Sequence, residues 1–122
     1  MSQSTNAEYI TWSEVEEFIK TLKTQITDDC KGIYGIPRGG TVLATMLSYA
    51  TGLPILHAPI RGCVIIDDIA DSGKTLLHYK EKGYAIVTMC YKATSVVKPD
   101  YYFKETTEWV VFPWEGGYDE SK

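Results

Sequence analysis

Between residues 15 and 26 the apolar positions Val15, Phe18, Ile19, Leu22 and Ile26 recur three or four apart, the spacing of one face of an α-helix. Ser13-Glu14-Val15-Glu16 has the form of a capping box, with the serine hydroxyl accepting from the Glu16 N–H, so the helix is expected to start there. Residues 1–8 are polar and read as a frayed tail. The pattern then changes. Gly32-Ile33-Tyr34-Gly35-Ile36 reads as a short buried strand whose glycines let neighbouring elements approach closely. Residues 41–49 place Val42, Leu43, Met46 and Leu47 on a second helix, stopped by Gly52.

Pro54-Ile55-Leu56 begins a second strand, and Cys63-Val64-Ile65-Ile66 a third, with only residues 57–62 between them. A helical crossover between adjacent parallel strands takes about a dozen residues, so this short link predicts either an antiparallel edge strand or a short excursion at the sheet's rim, and with it a mixed sheet. A helix carrying Leu76, Leu77 and Tyr79 follows Thr75 and closes near Gly83, with Lys80 and Lys82 suited to its carboxyl end. Residues 84–89 form the next buried strand and lead into Cys90-Tyr91-Lys92. Short strands are expected at 101–103 and 108–112, the latter stopped by Pro113, and residues 114–122 read as an acidic tail. This alternation predicts an α/β fold with a mostly parallel central sheet flanked by helices.

Length and charge narrow the function. The chain has 122 residues, enough for a single domain spanning 1–122 and too few for two. A net charge of −4 and a pI near 5.1 argue against nucleic acid or an anionic membrane as partner, since both call for a basic surface. No apolar run is long enough to span a membrane and the amino terminus has no apolar signal core, so a cytoplasmic location is expected. Cys30, Cys63 and Cys90 lack paired-ligand spacing and read as free thiols, and His78 as a surface residue of its helix.

The candidate chemistry concentrates in residues 63–75, CVIIDDIADSGKT. An apolar run ends in Asp67 and Asp68, at the carboxyl end of a strand, where open α/β sheets bind ligands. Adjacent carboxylates suit vicinal hydroxyls or a hydrated divalent cation. Asp71-Ser72-Gly73-Lys74-Thr75 then offers hydroxyls and backbone N–H groups at a helix start, where the helix dipole favours a phosphate. A P-loop would need glycine five positions before Gly73, and that position is Asp68, whose charge would repel the phosphates. A phospho-acceptor receiver domain distributes its acids over separate strands, whereas all three here lie together. In Pro37-Arg38-Gly39-Gly40, either the glycines and guanidinium hold an anion or the segment is a plain strand-to-helix turn with a surface arginine. Lys92, at the end of a sheet strand, is on the ligand side or simply solvated.

Residues 63–75 resemble the phosphoribosyl-diphosphate signature of the type I phosphoribosyltransferases. The resemblance continues through Tyr9-Ile10-Thr11-Trp12, Gly35-Ile36-Pro37-Arg38-Gly39-Gly40, Tyr91-Lys92, Lys98-Pro99-Asp100-Tyr101-Tyr102, Thr107-Glu108-Trp109-Val110 and Phe112-Pro113-Trp114-Glu115, which are similar to the small xanthine and xanthine-guanine members. It implies a family fold with a small C-terminal base-binding region, and transfer of phosphoribose from 5-phosphoribosyl 1-diphosphate to an oxopurine. Asp67 and Asp68 would hold the ribose hydroxyls, Asp68 also Mg²⁺, and Asp71 would manage the proton of the attacking base. Ser72, Gly73, Lys74 and Thr75 would cradle the 5′-phosphate, and Arg38 and Gly39 would meet the diphosphate. Lys92 would donate to the purine 6-oxo group, Trp109 would stack on the ring, and the Val110 backbone would read its edge. The family's habit also implies a homo-oligomer, dimer or tetramer.

One departure stands out. Family members carry a long arm before the strand of the central motif, which closes over the site and excludes water; here residues 57–62 are too few to form one. A non-catalytic binder of phosphoribosyl diphosphate or a nucleotide is therefore the alternative to an active enzyme.

Overall fold

The computed structural model describes residues 7–116. The chain runs β1 (Ala7–Tyr9), α1 (Trp12–Lys23), β2 (Ile33–Gly35), α2 (Gly39–Thr51), β3 (Val64–Ala70), α3 (Lys74–Glu81), β4 (Ala85–Tyr91), β5 (Tyr101–Glu105) and β6 (Trp109–Val111), ending in a 3-10 turn, Pro113–Glu115. β2, β3, β4 and β5 form one sheet in that order, and every pairing in it is parallel. β1 and β6 form a separate parallel pair.

Burial on both faces explains the continuous apolar runs of β3 and β4. Val64, Ile66, Val87 and Met89 pack with α1 and α2, while Ile65 and Ile86 pack with Leu76 of α3 beneath a group of tyrosines, Tyr34, Tyr79, Tyr84 and Tyr102. The helical face of α1 is as its spacing predicts, with Val15, Phe18, Ile19 and Leu22 buried. Its start differs. Thr11, not Ser13, caps the helix: its Oγ1 accepts from Glu14 N at 3.1 Å, and its own N–H donates to Glu14 Oε1 at 3.0 Å. The sequence offers two such boxes in tandem, and the strand before them decides. Ile10 is fully buried and its N–H donates to Val111 O at 2.9 Å, so pairing holds the chain extended as far as Ile10 and frees it to turn at Thr11. The same pairing makes residues 7 and 8 part of a strand rather than a frayed tail. Residues 1–6 and the end of the expected acidic tail, 117–122, lie outside the described residues.

Of the two arrangements expected for residues 54–62, the excursion at the rim is formed and the antiparallel edge strand is not, and the sheet is not mixed. Ile55 makes a single parallel bridge to Ile33, with Ile33 N donating to Pro54 O and Leu56 N to Ile33 O. Ile33 is the first residue of β2, so the chain at residue 55 is still at the amino-terminal edge of the sheet. It passes along that edge, where Lys31 N donates to Gly62 O, and enters β3 on the other side of β2. No climb up the sheet means no return, so six residues suffice where a full crossover would need about a dozen.

Candidate functional site

β3 carries the acids further than an end-of-strand reading places them: it continues through Asp67 and Asp68 to Ala70. Its pairing with β4 joins Asp67 to Thr88 and resumes at Ile69 with Cys90, passing over Asp68. The Asp68 N–H donates instead to Asp67 Oδ1 at 2.8 Å. Side chains alternate across a strand, so the two acids face opposite ways.

Asp68 opens onto a cavity of about 600 Å³ shared with Arg38, Gly39, Val42, Trp114 and Glu115. Asp67 opens onto a smaller one of about 110 Å³ formed by Ile69, Asp71, Ser72, Gly73, Lys74, Thr75 and Leu76. Both lie at the carboxyl edge of the sheet, as ligand sites of parallel sheets do. Another hollow, of about 330 Å³, lies at the opposite edge under the starts of β3, β4 and β5. It holds none of the residues singled out by their chemistry.

Close backbone approach builds the larger cavity. A Cβ on Gly40 would run into Ile66 O and come within 3.1 Å of Asp67 Cα, and one on Gly39 would overlap the Asp68 carboxylate. Only glycine lets the start of α2 rest on β3 beside the acids. The Pro37–Arg38 peptide just before it is cis. The smaller hollow is braced from behind by the loop after β4. Gly73, at φ 81, is the N-cap of α3, and a Cβ there would meet Val96 N and Val97 N at 3.0 and 2.9 Å. Lys92 N donates to Ala70 O, Val96 N to Ser72 O, and Lys74 N to Ser72 Oγ.

Electrostatics single out the acid pair. Burial, and then the charge of Asp68, push Asp67 up to about 8. Burial also raises Asp68, against hydrogen bonds from Asp67 and the backbone that favour its charge. Two half-buried carboxyls this close do not both ionise easily without a cation or donors to receive the charge. The Thr88 hydroxyl, in register with Asp67, is fully buried and makes no hydrogen bond within the described residues.

Lys92 Nζ lies 3.6 Å from Asp71 Oδ1, which brings together two residues twenty-one positions apart in sequence. Trp109 and Val110 border neither cavity. Trp109 is 62% exposed on β6, and Val110 is buried in register with Glu8 of β1. Trp114 is a cavity residue to which the sequence attached no role, and Glu115, which it tied only to the backbone geometry near the purine 2-position, lines the same cavity. Their placement follows from ring packing, since Trp114 stacks on Phe112 with centroids 5.0 Å apart and meets Trp12 at 5.8 Å. An aromatic and an acid directly after a strand-stopping proline were the available signal.

With the acids, the two hollows and the glycine-rich turn in place, comparison with known proteins defines the class. Residues 58–121 match the phosphoribosyl transferase domain, and the chain belongs to that family. Within it, this is a type I enzyme resembling those that act on purines. It is 31% identical in sequence to a purine phosphoribosyltransferase from Pyrococcus horikoshii Ot3, with a TM-score of 0.80 over 95% of this chain and 99% of that one. A xanthine-guanine phosphoribosyltransferase of Gluconobacter oxydans is 25% identical over 87% of this chain and 83% of its own length. That alignment runs to 139 residues, more than the 122 of this chain, so the relative carries residues with no counterpart here. The fold is shared with the Helicobacter pylori xanthine-guanine-hypoxanthine phosphoribosyltransferase, at 19% identity and a TM-score of 0.73 over 91% of this chain and 95% of that one.

Proposed function

We propose that this chain transfers the 5-phosphoribosyl group of 5-phosphoribosyl 1-diphosphate to an oxopurine base (xanthine, guanine or hypoxanthine), releasing the nucleoside monophosphate and diphosphate. The observation that carries this reading is the pair of hollows divided by Asp67 and Asp68. A donor with phosphate at one end and diphosphate at the other, bridged by a ribose, matches that layout.

In this reading the hydroxyls and backbone N–H groups of Ser72, Gly73, Lys74 and Thr75 take the 5′-phosphate at the start of α3. The carboxylates of Asp67 and Asp68 accept hydrogen bonds from the ribose hydroxyls and fix the ring. Arg38 and Gly39 receive the diphosphate, the guanidinium offering its fork of donors to the phosphate oxygens. Asp68, half-buried and facing Arg38 across the larger cavity, fits Mg²⁺, which takes one or two carboxylates and completes its shell with phosphate oxygens and water. Bound there, the ion would neutralise charge on the diphosphate. Breaking the anomeric bond leaves positive charge on the ribose, so fixing the sugar and placing the base in line is the protein's main task. Asp71 accepts the proton that the attacking ring nitrogen gives up. Lys92 donates to the 6-oxo group, Trp109 stacks on the flat base, and the Val110 backbone reads its edge.

The link at residues 57–62 runs along the amino-terminal edge, the end of the sheet away from these residues, and so covers none of them. We assign the cover to a second copy of the chain in a dimer or tetramer. The same observation favours a second reading, a non-catalytic binder of phosphoribosyl diphosphate or a nucleotide. Incubation with phosphoribosyl diphosphate, Mg²⁺ and each oxopurine in turn, read for nucleotide and diphosphate, decides between them. Product from at least one base is expected; tight donor binding with no product from any base would overturn the enzyme reading.

A further inference from the structure

Thr106 is one of two buried polar residues among the described residues, and it lies between the elements assigned to the base. Its N–H donates to Tyr91 O at 3.0 Å, next to Lys92, whose own N–H is fixed to Ala70 O at 3.0 Å. Its hydroxyl donates to Glu8 Oε1 at 2.7 Å and accepts from the Glu108 N–H at 3.0 Å. Glu8 sits in β1 in register with Val110 of β6. The other oxygen of Glu8 pairs with Lys104 Nζ at 2.5 Å, and Lys104 Nζ also meets Glu14 Oε2 at 2.9 Å. The four-stranded sheet carrying Lys92 and the two-stranded sheet carrying Trp109 and Val110 share no strand pairing. Beyond the covalent chain they are joined by the apolar core that holds Val110 and Phe112 with Val87 and Met89, and by this group of buried and half-buried polar contacts, which is the directional part of the junction.

We propose that Thr106 is a positioning residue for the purine, and that its hydrogen bond to Glu8 sets the separation between Lys92 and Val110. The inference rests on the base-binding roles given above to those two residues. A hydroxyl donating to a carboxylate is a strong, directional contact, and removing it leaves both Glu8 Oε1 and the Glu108 N–H without their partner. β1 and β6 are then held to the end of β4 without this directional contact and can shift against it. The donor side is held by β3, α2 and α3 and does not depend on this contact.

Steady-state kinetics of Thr106→Val, Thr106→Ser and the parent, each with phosphoribosyl diphosphate and Mg²⁺ and the preferred oxopurine, test the inference. In Thr106→Val the KM for the base should rise about five- to tenfold, the worth of one such hydrogen bond, with the KM for the donor within about twofold of the parent. Thr106→Ser keeps the hydroxyl and should restore the base KM. An unchanged base KM, or equal rises for base and donor, would overturn the positioning role while leaving the enzyme reading intact. Should Thr106→Val fail to fold, Glu8→Leu, which removes the accepting oxygen, should show the same selective rise, and its absence overturns the inference equally. A parent that makes no nucleotide from any oxopurine, and binds no purine monophosphate by calorimetry, removes the enzyme reading and this inference together.

Discussion

Asp67 and Asp68 are consecutive residues of one strand that open onto different cavities, one walled by the loop into α3 and the other by the start of α2. Strand alternation alone achieves this. In the proposed function, adjacent residues would then hold one ribose while the sugar's two phosphate-bearing ends diverge to either side.

Stability of the ligand-free protein should fall as pH rises from about 4 to 8. An unfolded aspartate loses its proton near 3.8, whereas native Asp67 keeps its proton to about 8, so the native state binds the extra proton across that window. Asp67→Asn preserves the oxygen that accepts the Asp68 N–H but removes the titration. It should flatten the pH dependence and exceed the parent at pH 8 by about 1–2 kcal/mol, discounted for the water reaching a half-buried pair. Urea unfolding of both proteins at pH 5 and pH 8 checks this; parallel curves would contradict it.

Gly40→Ala should be costly at a position with no side chain to lose. The added Cβ strikes the backbone of Ile66 and Asp67, which cannot rotate away, so α2 must lift from β3. We expect a loss of about 2–4 kcal/mol and weakened donor binding. Gly52→Ala, where a Cβ would meet nothing within 4 Å, should cost only about 1 kcal/mol through its φ of 80°. Thermal melts and phosphoribosyl diphosphate titrations of the two variants should therefore separate them clearly.

Lys104→Met should destabilise the protein at neutral pH and much less in acid. Hydrogen bonds from Lys104 and then Thr106 hold Glu8 below its ordinary value. Partial burial opposes ionisation of Glu14, but Lys104 and the Thr11 N–H outweigh it. Lowered carboxylates contribute stability above about pH 4.5 that is lost as pH falls through their native values. The expected cost is about 1–2 kcal/mol at pH 7, shrinking towards pH 3, as denaturant midpoints across that range would report. A cost independent of pH would mean that only the packing of the lysine stem matters.

Asp71→Asn should lower kcat by about a hundredfold or more while the donor KM stays within a few-fold, because Asp71 is assigned to the proton of the base rather than to holding the ribose. Equal loss of turnover and donor affinity would contradict that assignment. Its 3.6 Å neighbour provides a control: Lys92→Met should raise the KM for the base.

The α/β fold, the helical face of α1, the buried strands β3 and β4 and the loop into α3 were legible in the sequence, because each depends on local periodicity or on short-range chemistry. The acids Asp67 and Asp68 and the loop from Asp71 to Thr75 are contiguous, so they could be singled out as one candidate site before any fold was known. Tertiary structure decided the rest. The tandem boxes at Thr11 and Ser13 are locally equivalent, and only the pairing of Ile10 with Val111, one hundred and one positions away, selects the first. The link at residues 57–62 is compatible with an antiparallel edge strand if the strand before it climbs the sheet, and with an excursion at the rim if it does not. The single bridge at Ile55 shows that it does not, a fact set by where α2 delivers the chain. Lys92 beside Asp71, Trp114 in the wall of the larger cavity, and Thr106 between the two sheets are likewise contacts between segments far apart in sequence. Local pattern carries no information about them, since what fixes such contacts is the packing of whole elements.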